Sequence, residues 1–145
     1  MSVRQDLIVA KSIDIDATAE EVWDALTDPD IIKKYLYGTK TITTWKPGSS
    51  IVFKGEYDGT KYEDKGVVVQ NEQGKLLSYE YWSAFTGLED KPENYSLITY
   101  TLAAKNNQHT TLTWTQQGFI NEEARKNSED GMDAFLHSIK ETIED

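Results

Sequence analysis

An α+β fold is predicted for this 145-residue chain: a curved antiparallel sheet wrapped around one long C-terminal helix, with two short helices after the first strand. Three features predict it. Residues 13–31 pack a strand end and two capped helix starts into nineteen positions. About eighty residues of period-two, turn-punctuated pattern follow. The chain then closes on one helical stripe carrying Met132, Phe135, Leu136, Ile139 and Ile143.

Each element follows in order. Leu7, Val9, Ile13 and Ile15 alternate as a strand with one buried face, with Lys11 the exception. Thr18 and Glu21 form a capping box, and Val22, Trp23 and Leu26 give the helix behind it an apolar face. Asp28 before Pro29 is a second N-cap, opening a helix that carries Ile31, Ile32, Tyr35 and Leu36 and ends at Gly38. Trp45-Lys-Pro-Gly-Ser49 is a turn into a strand marked by Ile51, Phe53 and Tyr57. Asp58-Gly59 is a hairpin signal. Strands over Tyr62–Asn71 and Leu76–Ser83 flank a turn at Asn71–Gly74. Residues 84–94 read as a loop, either a lid at the cavity mouth or an ordinary surface connection. Ile98, Tyr100 and Leu102 pair with Leu112, Trp114 and Gln116 across a hairpin at Asn106–His109, and a helix runs from Asn121 to the end. With no repeat or linker, residues 1–145 form a single domain. A helix of about 20 residues spans roughly 30 Å, enough to lie across the sheet. One helix cannot fill a strongly curved sheet, so this helix-grip arrangement leaves a cavity.

Bulk properties narrow the function. Fifteen basic against twenty-five acidic residues leave a net charge of -10, which disfavours nucleic acid and membrane surfaces as partners. Cysteine is absent, removing thiolate chemistry and disulfides. The N-terminal apolar run of four residues is too short for a signal-peptide core, and no stretch reaches membrane-spanning length. A cytoplasmic location is the expectation.

The chain resembles the START-related (SRPBCC) superfamily with the birch-pollen-allergen fold, and within it the Hsp90-ATPase-activator-homologue-like group. Ala19-Glu-Glu-Val-Trp-Asp-Ala-Leu-Thr-Asp-Pro29 carries the resemblance, with Trp45-Lys-Pro-Gly48, Tyr62–Gln70 with Gly66 followed by Leu76-Leu-Ser-Tyr79, and Gly118-Phe119 entering a helix that contains Gly131. Tyr35-Leu36 and Met132 stand where relatives usually have tryptophan, so no ligand identity is carried across. The resemblance implies a lipid- or polyketide-like ligand, a chaperone partner of the Hsp90 type, or aromatase/cyclase-like chemistry.

The residues themselves favour a binding module for a small apolar or aromatic molecule, with no cofactor and no metal implied. Candidate cavity-lining aromatics are Phe53, Tyr79, Tyr81, Tyr100, Trp114 and Phe135, with Trp23 and Tyr35 from the short helices. Ile98, Leu112, Met132 and Ile139 complete the candidate wall. A plain core with tyrosine tips at its rim is the alternative. If both are core, Trp114→Ala and Phe135→Ala each cost about 3–5 kcal/mol. Catalysis is weakly supported. His109 belongs to an exposed hairpin, while His137 shares a solvated helix face with Glu129, Asp133 and Glu141. Glu80 points away from Tyr79 and Tyr81, and the register of Glu56 and Glu63 decides whether either enters the cavity.

Overall fold

The computed structural model describes residues 3–57, 59–83 and 86–144. Among the described residues, seven strands form one antiparallel sheet: β1 (Arg4–Ile15), β2 (Lys40–Ile42), β3 (Ser50–Tyr57), β4 (Thr60–Glu72), β5 (Leu76–Trp82), β6 (Ser96–Asn106) and β7 (His109–Phe119). Their order across the sheet is β1-β7-β6-β5-β4-β3-β2. From β2 onward each strand pairs with its successor in the chain, and β1 closes the far side against β7. Three helices, α1 (Ala19–Thr27), α2 (Pro29–Tyr35) and α3 (Glu122–Glu144), complete the helix-grip fold.

The helix starts are built by the predicted caps. The Thr18 side chain accepts from the Glu21 amide at 3.1 Å, and the Glu21 carboxylate accepts from the Thr18 amide at 3.2 Å. Asp28 Oδ1 takes the Asp30 amide at 2.9 Å ahead of Pro29. At the other end of α2 the Gly38 amide donates to the Lys33 carbonyl, a Schellman closure. The left-handed residue of that closure is Tyr37, at φ 51°, with its ring on the surface. A tyrosine there costs about 1 kcal/mol that glycine would not.

One face of the sheet, the apolar faces of α1 and α2 and one stripe of α3 make the core. Val9, Ile15, Ile51, Val68, Leu77, Leu112, Leu136 and Ile139 are all essentially solvent-free. Each such side chain contributes about 1.5–3 kcal/mol of burial. Lys11, the polar break in the β1 pattern, points toward α3 and pairs with Asp133 at 3.4 Å. Gly131 sits mid-helix, and a methyl group added there meets open space. Gly131→Ala should therefore stabilise by about 0.5–1 kcal/mol. A raised urea midpoint at unchanged slope is the expected observation.

Some expectations need correction. The sequence pattern assigns no strand to 40–42, yet β2 pairs there with β3. Three residues with only Thr41 turned inward carry no readable alternation. Leu76–Ser83 ends one residue early, at Trp82. Within 84–94 the chain forms a 3-10 turn at Pro92–Asn94, while Ala84 and Phe85 lie outside the described residues, as does Asp58 of the predicted hairpin. Phe135 is half-buried, not core. No described helix is long and apolar enough to cross a membrane.

Candidate functional site

Strand alternation decides which side chains face α2 and α3. On β4 it turns Tyr62, Asp64, Gly66 and Val68 inward, leaving Glu63, Val67 and Val69 outside. The concave surface so formed encloses a cavity of about 250 Å³. Phe53, Tyr79, Tyr81, Ile98, Tyr100 and Trp114 line it from the sheet, and Leu26, Ile32, Tyr35, Leu36, Met132 and Phe135 from the helices. Polar groups come from Thr39, Tyr62, Asp64 and Gln116.

The aromatic walls are mutually braced. Phe53 meets Tyr79 at 6.1 Å and Tyr81 at 5.9 Å between ring centroids, while Tyr35 meets Phe135 edge-on at 6.0 Å. The Tyr35 hydroxyl donates to the Ala25 carbonyl at 2.7 Å, tying α2 to α1. Burial pushes the hydroxyls of Tyr35, Tyr79 and Tyr100 well above the ordinary tyrosine range. For Tyr81 burial acts first, and the neighbouring Asp64 adds to it.

Trp45 closes one side of the cavity from a left-handed backbone conformation, φ 63°. Three hydrogen bonds offset the steric cost. Its indole N–H donates to the Thr27 carbonyl at 2.8 Å, its amide to Thr43 Oγ1 at 3.1 Å, and its carbonyl accepts from Asn71 at 2.9 Å.

The chemically distinctive group is Asp64, 6% exposed. Its Oδ2 accepts from the Tyr81 hydroxyl at 2.7 Å, while Oδ1 is shut off from solvent and accepts no hydrogen bond from the described residues. No Lys, Arg or His is among the described residues that line the cavity. Beside Asp64, Tyr62 reaches Thr39 through its hydroxyl and lies across Gly55 of β3. A Cβ at residue 55 would overlap that ring's tip. Gly55→Ala should thus cost only about 1 kcal/mol, because the tip can swing aside, but displace Tyr62 from the wall. A near-normal melt together with altered uptake of a cavity probe is the expected pair of results.

Of the twelve candidate lining residues, Tyr35, Phe53, Tyr79, Tyr81, Ile98, Tyr100, Trp114, Met132 and Phe135 meet at the cavity. Trp23, Leu112 and Ile139 do not line it; they are buried in the surrounding core. Trp23 lies on α1, which contributes Leu26 to the wall instead, and Leu112 of β7 and Ile139 of α3 belong to the hydrophobic core. Glu56, Glu63 and Glu80 are all exposed. Sequence reasoning missed Asp64, Tyr62, Thr39 and Trp45 at the cavity, and also Leu26, Ile32, Leu36 and Gln116. Asp64 and Tyr62 share a strand face with the buried Val68, but the sequence alone does not say which of Val67, Val68 and Val69 faces inward. His109 and His137 are exposed and paired with carboxylates, at 3.4 Å to Asp16 and 2.9 Å to Glu141.

A family model, Activator of Hsp90 ATPase homolog 1-like protein, matches residues 16–144. The chain belongs to that family. Among solved structures, the Activator of Hsp90 ATPase homolog 1-like chain is similar to ChR145 from Cytophaga hutchinsonii, with 40% identity over 99% of this chain and 97% of that one, at TM-score 0.82. It shares its fold with DynU16, described as a putative protein in the dynemicin biosynthetic locus, at 19% identity and TM-score 0.78, covering 96% of this chain and 48% of that one. It also shares its fold with PFC0360w, an HSP90 activator from Plasmodium falciparum, at 16% identity and TM-score 0.72, over 92% and 93% of the two chains. Comparison with curated proteins finds no match.

Proposed function

We propose that this chain is a binding module holding one small apolar or aromatic molecule between the sheet and α3. The aromatic-walled cavity of about 250 Å³ supports this reading. An apolar cavity of about 150 Å³ accepts benzene, so the space here suits a molecule of about two rings. A cytoplasmic setting belongs to the same proposal and fits the absence of cysteine.

Native mass spectrometry on protein purified gently from its own host tests the proposal. An added mass that disappears on denaturation supports it. A bare mass, with no uptake from a library of lipids and aromatics, overturns it.

Two observations favour other readings. Family membership favours a chaperone cofactor of the Hsp90 type, which a pull-down and a chaperone ATPase assay test directly. The enclosed carboxyl of Asp64 favours cyclase-like acid–base chemistry. Turnover abolished in Asp64→Asn, with uptake retained, is the result that reading requires.

A further inference from the structure

The polar groups of the cavity are not scattered. Thr39, Tyr62, Asp64 and Tyr81 gather along β4 and its neighbours, with Gln116 apart on β7, while Leu26, Ile32, Leu36, Met132 and Phe135 supply an apolar wall from the helical side. The polar end also has unused capacity. Asp64 Oδ1 is enclosed without a donor, though Oδ2 is satisfied by Tyr81. An enclosed carboxyl oxygen with no partner is costly, and a donor brought by a bound molecule removes that cost. No basic side chain among the described lining residues can do so instead.

We propose that the occupant has an apolar ring body and one hydrogen-bond-donating end, an amine or a hydroxyl, and that Asp64 receives that end. This deepens the binding reading above and rests on it. Oδ1 receives that donor through a local rearrangement of Asp64 and Tyr81, whose ring also meets Phe53 and Tyr79 at 5.9 and 6.5 Å between centroids. An anionic end is disfavoured twice, by Asp64 at close range and by the net charge of -10 outside.

A matched series on the full chain tests this: naphthalene, 2-naphthol, 2-naphthylmethylamine and 2-naphthoate, each titrated by calorimetry or by quenching of tryptophan fluorescence. The naphthol and the amine should bind about tenfold tighter than naphthalene, and the carboxylate more weakly than naphthalene. Asp64→Leu should bring the naphthol and amine down to the naphthalene value, and Asp64→Asn should lower the amine more than the naphthol. Tyr81→Phe keeps the carboxyl and should keep the preference for donors, so the assignment remains decidable if Asp64→Leu does not fold. Equal affinity for naphthalene and the two donors in the unaltered protein overturns the Asp64 inference and leaves the binding module standing. A preference that survives in folded Asp64→Leu also overturns it. Uptake of none of the four overturns both.

Discussion

Replacing Trp114 with alanine should remove about 3–5 kcal/mol of unfolding free energy. The indole is 2% exposed on β7, an interior strand of the sheet, opposite Tyr100 of β6 and Lys11 of β1. It also forms part of the cavity wall, so its loss joins new void to a space of about 250 Å³ that the surroundings already fail to fill. Collapse is therefore hindered, which places the cost toward the upper end of the range. A domain of this size has about 5–15 kcal/mol in total, so a fall in melting temperature of about 10 °C or more is expected. A loss below about 1 kcal/mol would show that the indole is not core. Phe135→Ala should cost clearly less, because that ring is only half-buried beside the cavity. The equal cost expected of both residues from sequence is thus divided by the structure.

The second large effect is alkaline unfolding. Tyr35, Tyr79 and Tyr100 are 5%, 8% and 6% exposed, and burial raises all three hydroxyls well above the ordinary value of 10.0. In the unfolded chain they ionise near that ordinary value. Their contribution is fully present below pH 10 and is lost as pH rises above it toward the folded values. Each group can withdraw up to about 1.4 kcal/mol per pH unit in that window, so three together withdraw about 4 kcal/mol by pH 11. The expected observation is a cooperative loss of the circular dichroism signal above pH 10, coincident with the appearance of tyrosinate absorbance. Tyr100→Phe should make the decline shallower. Gradual tyrosinate formation with the fold intact would show that these hydroxyls reach water.

The fold was legible because its signals are local. Thr18/Glu21 and Asp28/Pro29 are caps readable from four residues each, and the alternation in β6 and β7 is clean. The candidate site was legible by residue type and less so by position. Six of the nine candidates at the cavity come from strands, where apolar parity is also cavity parity, and Tyr35, Met132 and Phe135 come from the apolar faces of α2 and α3. Leu112 shares that parity, and Trp23 and Ile139 lie on apolar helix faces, yet all three are buried away from the cavity, whose position depends on sheet curvature, which no short window encodes. Asp64 was hidden by its chemistry and by Val67-Val-Val69, whose unbroken apolar run conceals which valine faces in. Trp45 was read as part of a turn, and only its left-handed backbone brings the indole to the cavity.

The pairing of β1 with β7 bears on how the chain is made. Ile8 sits opposite Gln117, so β1 finds its partner only after about a hundred further residues have left the ribosome. At about 5–20 residues per second the wait lasts roughly 5–20 seconds, during which the meander from β2 onward can assemble without it. Closure of the β1 edge is then a late step dominated by distant contacts, the kind that slows folding. Until it occurs both β1 and β7 present open edges to other nascent chains, and α3 lacks the strand that Asp133 reaches through Lys11.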